Sequence, residues 1–248
     1  MKYTSLIAIS ALVTASALQA QFTQIDISAQ ANADIQTYSF GNNYQLGGTT
    51  LNVAGVPFGL AELGGSSTTT GVVQSPEPGT FDYTFSVPTG TQATTLYSLA
   101  NTAFGALGVN EGSIVVTGTG GETATLSLIE GFNIRDHNDS FYVNTLSDPT
   151  VVPTYFLNGA PTTSGYEQTR LDMQTLALPA TFAGDTISTI TFEGTGNGAP
   201  DGSAFLAGLT LSDAPASVPD SSLPLPFTAG IFLAMLAVVR IRQNQIRA

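Results

Sequence analysis

The sequence predicts an all-β domain, a two-sheet β-sandwich, flanked by an N-terminal signal peptide and a C-terminal transmembrane helix. Polar and apolar residues alternate along several short segments of the central region. Gly and Pro interrupt these segments at short intervals, and no convincing amphipathic helix of ten or more residues stands between them. Many short strands separated by turns are typical of two sheets packed around one core.

Residues 1–20 have the features of a secretory signal peptide. Lys2 supplies a positive start, and residues 6–18 are mostly apolar. Small residues follow, so that cleavage comes either after Ala17 or after Ala20. The apolar run is too short for a spanning helix and has no stop-transfer charges. We therefore expect export, with signal peptidase as the first partner; the alternative is a buried N-terminal strand.

Residues 21–213 form the expected β-domain, which is long enough to bury a sizeable core. From residue 21 to residue 217, seventeen Asp and Glu stand against two arginines, Arg135 and Arg170, for a formal net charge of −15. Such a charge repels phosphate backbones and excludes nucleic acid as a partner. The chain has no cysteine, which excludes disulfides and thiol chemistry, so the core or a bound ion must hold the domain together.

Several segments carry the strand pattern. Phe, Tyr and Val alternate with polar residues along one segment, and two strand-like runs around a glycine-rich turn predict a β-hairpin. In chain order the segments are 81–87, 113–117 with 124–128 across the turn 118–121, 190–192 and 205–211. Residues 94–106 also favour strand and turn. In the last segment we predict that the apolar residues line one face: Phe205, Ala207, Leu209 and Leu211.

Three stretches together resemble a β-sandwich module of exported bacterial proteins, with a layout similar to galactose-binding-like jelly rolls: 96–105, 130–137 and 205–211. The resemblance covers about residues 22–213. It implies a jelly-roll-like sandwich in which the last strand pairs near the first and rim loops carry a sugar. The chain has no tryptophan, so stacking on a sugar depends on tyrosines in loop-like stretches: Tyr38, Tyr44, Tyr142, Tyr155 and Tyr166.

The most polar stretch, residues 133–140, contains the only histidine and Arg135. Carboxylate and amide oxygens at close spacing are ligands that calcium prefers, and a second group lies in the glycine-rich residues 196–203. The candidate ion or ligand residues are Asp136, Asn138, Asp139 and Asp201. In the alternative interpretation, Arg135 pairs with a buried carboxylate and the Asp and Asn side chains bond to backbone groups of a turn.

No catalytic constellation stands out, and we predict that the protein is not an enzyme. His137 is the only histidine, and the nucleophile motif G-x-S-x-G is absent. A glycosidase needs only two carboxylates that meet in space, so an exported glycoside hydrolase remains the third alternative.

The C-terminal residues fall into three ordered parts. Residues 214–222 are a Pro-containing linker, residues 223–239 carry no charge, and residues 240–248 form a basic tail. A seventeen-residue helix is about 26 Å long, enough for a thin membrane. By the positive-inside rule, the following arginines place the tail in the cytoplasm and the domain outside: Arg240, Arg242 and Arg247. The alternative is a buried C-terminal helix.

This order resembles the PEP-CTERM type of sorting signal carried by exosortase substrates. The motif residues are similar to the VPDSG variant: Val218, Pro219, Asp220 and Ser221. Ser222 stands where that variant has glycine. The resemblance implies that a membrane-embedded transpeptidase with a catalytic cysteine recognises the motif, removes the tail, and releases or attaches the protein outside the cell.

These features predict an exported protein of the cell surface or extracellular matrix. It is tethered by its C-terminal helix until an exosortase-like transpeptidase processes it, and it associates with extracellular polysaccharide. The alternative is a surface carbohydrate-binding module with a structural calcium site.

Overall fold

The computed structural model describes residues 20–38, 44–74, 79–138, 143–157, 160–162, 169–196 and 203–214. These residues form strands, two short 3₁₀ turns and connecting loops, with no α-helix among them. The predicted signal peptide up to residue 19, the sorting motif, the apolar segment 223–239 and the basic tail lie outside the described residues.

Sixteen strands lie in the described residues: β1 (Phe22–Ile25), β2 (Ala33–Asp34), β3 (Thr50–Val53), β4 (Val56–Gly59), β5 (Ala61–Leu63), β6 (Ser66–Gln74), β7 (Gly79–Ser86), β8 (Thr95–Ala103), β9 (Asn110–Gly118), β10 (Thr123–Ile129), β11 (Tyr155–Leu157), β12 (Ala160–Thr162), β13 (Thr169–Arg170), β14 (Met173–Ala177), β15 (Ile187–Gly196) and β16 (Ser203–Ser212). The 3₁₀ turns are Ile35–Tyr38 and Ala180–Phe182. Every pairing between these strands is antiparallel.

Two sheets contain most of these strands. The larger has seven strands in the order β14-β8-β16-β6-β2, with β1 beside β16 and β5 beside β6. The smaller has four strands in the order β10-β9-β15-β7. Buried side chains of both sheets form one cluster, the inner core, which includes Leu96, Leu206, Ile114 and Phe192. The protein is therefore all-β, and its two main sheets have the arrangement expected of a β-sandwich.

A third layer covers the other face of the seven-stranded sheet, which a two-sheet prediction does not include. The β3–β4 hairpin places Phe58 against β16, where a Cβ built on Gly208 would lie 3.3 Å from its ring. The Thr210 hydroxyl also donates to the Pro57 carbonyl at 2.6 Å. Together with Leu99 and other side chains, these residues form a second cluster, the outer core. The central strands β8 and β16 are consequently buried on both faces.

The prediction for the apolar face of β16 is wrong. Phe205 and Ala207 belong to the outer core, whereas Leu209 and Leu211 belong to the inner core. The cause is a bulge opposite β8, in which Ala207 is the extra residue. One extra residue shifts the two-residue period, so the side chains that follow it point to the opposite face.

Other strand predictions are confirmed. β9 and β10 form the predicted hairpin, and Thr117 pairs with Thr123 across its turn. Along β7, Phe85 is buried while Thr84 and Ser86 are exposed. β1 pairs with β16, so the first and last described strands are neighbours.

Candidate functional site

The polar stretch that contains the candidate ligands lies between β8 and β13 as a buried segment. The Thr102 N–H donates to the Arg135 carbonyl at 3.0 Å, and the His137 N–H donates to the Thr102 carbonyl at 2.9 Å. On the other side, the Arg170 N–H donates to the His137 carbonyl at 2.8 Å. Residues 133–137 are all buried. Their backbone therefore extends the hydrogen bonding around β8 instead of forming an exposed loop.

Arg135 forms a buried ion pair with Asp172. Its Nε donates to Asp172 Oδ2 at 2.7 Å and its Nη2 donates to Oδ1 at 3.0 Å. The same carboxylate accepts from Asn101 Nδ2 at 2.9 Å and from the Thr154 N–H at 3.1 Å. Four donors thus satisfy a carboxylate that is fully buried. The interpretation in which Arg135 pairs with a buried carboxylate is confirmed.

Asp136 fixes two backbone groups. Its Oδ2 accepts from the Phe104 N–H at 2.9 Å and its Oδ1 accepts from the Asn138 N–H at 2.7 Å. Burial raises the pKa of Asp136, and these two hydrogen bonds oppose that rise. Asp139 and Asp201, the other predicted carboxylate ligands, lie outside the described residues. The calcium site made from these residues and Asn138 stays a prediction.

His137 and Tyr44 form a second buried pair. The Tyr44 hydroxyl lies 2.6 Å from His137 Nδ1, and their rings pack near Phe156 and Phe205 in the outer core. Burial, and to a smaller extent the charge of Arg170, lowers the pKa of His137 to about 4. Burial raises the pKa of Tyr44 well above its ordinary value. Both groups are therefore neutral near pH 7, and both are too buried to meet a substrate.

Glu111 and Glu130 are two further buried acids, and both come close to the loop after β8. Glu130 Oε2 accepts from the Thr102 hydroxyl at 2.8 Å, and Glu111 Oε1 accepts from the Ala106 N–H at 3.4 Å. Burial raises the pKa of Glu130 to about 8; the Thr102 bond opposes this, and the charges of Glu111 and Asp136 add to it. Near pH 7 the Glu130 carboxyl therefore holds a proton for most of the time.

Among the described residues, no group of three or more Asp, Glu or His side chains is arranged to hold a metal ion.

A surface pocket of about 500 Å³ is lined by residues that follow β1 and by residues in and around β5. Asp26, Ser28 and Glu62 are among its lining residues. Hydrogen bonds from Ser28 lower the pKa of Asp26, so this carboxylate is ionised. A general acid for glycoside hydrolysis needs the opposite shift, because it must carry a proton to the leaving group. Asp26 is therefore unsuited to that role.

The tyrosines predicted to stack on sugars differ in their surroundings. Tyr44 is fully buried and unavailable for stacking. Tyr155 is half-buried, with the Arg135 guanidinium 5.3 Å from the centre of its ring. Tyr38 lies in a 3₁₀ turn, and Tyr142 and Tyr166 lie outside the described residues.

Three large apolar side chains, which we call the apical patch, are exposed on the loop after β8 and the turn after β10: Phe104, Leu107 and Phe132. Leu107 lies against Gly131, since a Cβ built on that glycine would clash with it. The Gly108 N–H donates to the Glu130 carbonyl at 2.9 Å, which brings the loop after β8 beside the turn after β10. Exposed apolar groups of this kind are typical of contact surfaces.

Sequence reasoning missed Asp172, Glu111 and Glu130 as members of the buried polar region. One signal for Asp172 was available in the sequence. Arg170 and Asp172 flank Leu171, and two opposite charges beside a buried leucine indicate that the charges are buried as well. Glu111 and Glu130 stand at strand ends, where a solvent-facing acid is ordinarily expected.

Comparison with known proteins found no matching family model, no similar curated protein and no similar solved structure. No described residues form a helix long and apolar enough to cross a membrane, and the segment 223–239 lies outside that part of the chain.

Proposed function

We propose that the protein is exported and acts as a non-catalytic component of the cell surface or extracellular matrix. Its C-terminal segment holds it in the membrane until an exosortase-like transpeptidase removes that segment. The observation that carries this proposal is the order of parts after the domain: the motif 218–221, the uncharged run 223–239, and the arginines of residues 240–248.

The composition of the domain supports a role outside the cell. It has no cysteine, so its stability does not depend on a redox compartment. Two cores and the buried Arg135–Asp172 pair hold it instead. Its strong negative charge favours solubility and keeps it from anionic surfaces.

Burial makes four of the domain's acids unavailable for catalysis, which agrees with a non-catalytic role. The side chains of Glu111, Glu130, Asp136 and Asp172 are at most 2% exposed. A glycosidase needs two carboxylates that reach the scissile bond, and these four lack that access.

Processing is tested by expressing the full chain in its native host. We expect the wild-type protein to lose its tail, and the variants Pro219→Ala and Asp220→Ala to keep the tail and stay in the membrane fraction. Ser222→Gly is the matched control, since it restores the residue of the VPDSG pattern and should be processed at least as well as wild type. Equal processing of all four proteins would refute recognition of the motif.

Glycan binding is a second candidate, and the apical patch is the observation that favours it. Phe104 and Phe132 are 39% and 45% exposed, and aromatic faces stack on sugar rings. A glycan array probed with wild-type protein and with Phe132→Ala tests this. Loss of signal in the variant supports the candidate, whereas no signal from the wild type, with or without calcium, contradicts it.

A further inference from the structure

Three buried carboxylates converge on the backbone of residues 104–106. Asp136 accepts from the first N–H of this turn at 2.9 Å, and Glu111 accepts from the last at 3.4 Å. Glu130 lies against Gly105 between them, because a Cβ built on that glycine would fall within 3.0 Å of its carboxylate atoms. The three acids therefore lie against the same turn, with Asp136 at residue 104 and with Glu130 and Glu111 at residues 105 and 106.

Glu130 has one carboxylate oxygen without a hydrogen-bond partner. Its Oε2 accepts from the Thr102 hydroxyl at 2.8 Å, but its Oε1 is buried and meets no donor in the described part of the chain. The whole side chain is only 1% exposed. A buried carboxylate oxygen without a donor is costly, so this atom indicates a ligand that brings positive charge.

Acids outnumber bases among the buried side chains of the described residues. The buried acids are Glu111, Glu130, Asp136 and Asp172, and the buried bases are Arg135 and Arg170. Arg135 is bonded to Asp172, and the charge of Arg170 acts on Asp136. A divalent cation at Glu130 would therefore enter a region rich in carboxyl groups.

We propose that Glu111 and Glu130 together bind one hard divalent cation beneath the turn of residues 104–106. Carboxylate oxygens are the ligands that calcium prefers, and backbone carbonyls and water complete its six to eight ligands. This site is distinct from the predicted one at Asp136, Asn138 and Asp139. It does not depend on the proposed export and processing, which are tested by other means.

The test is calorimetric titration of CaCl₂ into the full chain, purified in a mild detergent and treated with a chelator. We expect one calcium ion per wild-type chain. At a hundredfold excess over Kd, calcium should raise the melting temperature by about 5–10 °C. Glu130→Gln should weaken binding at least tenfold, whereas Glu193→Gln, which alters an exposed glutamate of β15, should bind as wild type does.

Two further measurements keep the result decisive. Without calcium, Glu130→Gln should melt above the wild type, because it removes a carboxyl group that is costly to bury. A folded, more stable variant that has lost calcium binding supports the site. No calcium binding by the wild type overturns the proposal, whether or not any variant folds. Retained binding in Glu130→Gln with loss in Asp136→Asn also overturns it, in favour of the site predicted from the sequence.

Discussion

Replacing Asp172 with asparagine is expected to lower the free energy of unfolding by about 3–5 kcal/mol. Among the described residues, Asp172 supplies the only negative charge bonded to Arg135, and the change removes it. The Arg135 side chain is only 7% exposed, so water can compensate this loss only in small part. A lone charge in this environment is far more costly than the intact pair is favourable.

The geometry accounts for this magnitude. Asp172 accepts four hydrogen bonds, two of them from Arg135, and bonds to a charged group contribute about 1.5–3 kcal/mol each. An asparagine amide at Oδ2 would face the Nε of Arg135 and the Nδ2 of Asn101, both of which are donors. At the Oδ1 position it would face the Thr154 N–H and the second arginine donor. In either orientation, the amide N–H groups of the asparagine would point at two other N–H donors.

The assay is chemical unfolding of the purified mature protein at pH 7, followed by far-UV circular dichroism and by tyrosine fluorescence, since the chain has no tryptophan. Asp82→Asn is the control, because Asp82 is exposed on β7 and should change stability by less than about 0.5 kcal/mol. The double variant Arg135→Met/Asp172→Leu should lose less than Asp172→Asn alone. A loss below about 1 kcal/mol for Asp172→Asn would refute the role given to this pair.

Three further predictions concern the buried polar groups. Because the pKa of His137 is lowered to about 4, the unfolded chain binds a proton that the folded protein does not. The contribution of His137 to stability should therefore fall, by at most about 3 kcal/mol, as pH drops from 6.5 to 4. His137→Asn should reduce that fall, and an unchanged profile would contradict it. The pKa of Glu130, raised to about 8, has the opposite effect: the folded protein holds the extra proton, so in calcium-free buffer stability should decrease as pH rises from 4.5 to 8. Between pH 6.5 and 8 His137 no longer contributes, so the decrease in stability comes from Glu130 alone of these two groups. If a Glu130→Gln variant still showed the full decrease there, the raised pKa of Glu130 could not be its cause. Gly105→Ala should cost about 1–3 kcal/mol in unfolding titrations, since its methyl group would overlap the buried Glu130 carboxylate; a neutral result would show that the carboxylate moves freely.

The sequence was sufficient for elements whose signal is local. Period-two alternation from residue 81 to residue 87 and the glycine-rich turn at 118–121 depend only on neighbouring residues, so β7 and the β9–β10 hairpin could be predicted. The bulge at Ala207 could not, because it depends on how β16 pairs with β8, about 100 residues earlier.

The buried polar residues likewise include some that the sequence could predict and others that depend on distant parts of the chain. A buried partner for Arg135 could be anticipated, since the domain has only two arginines among many acids. That partner is Asp172, 37 residues away, and no spacing in the sequence connects the two. The burial of Glu111 and Glu130 was also beyond sequence reasoning, because it follows from the loop after β8 folding over the ends of β9 and β10.

The intact mass of the mature protein from its native host tests the proposed function most directly. Export and sorting predict a chain that begins after Ala17 or Ala20 and ends between Pro219 and Ser222, with or without an attached group at the new C-terminus. A mature protein that retains Arg247 and Ala248 would contradict processing, and one that also retains Met1 would contradict export through a cleaved signal peptide.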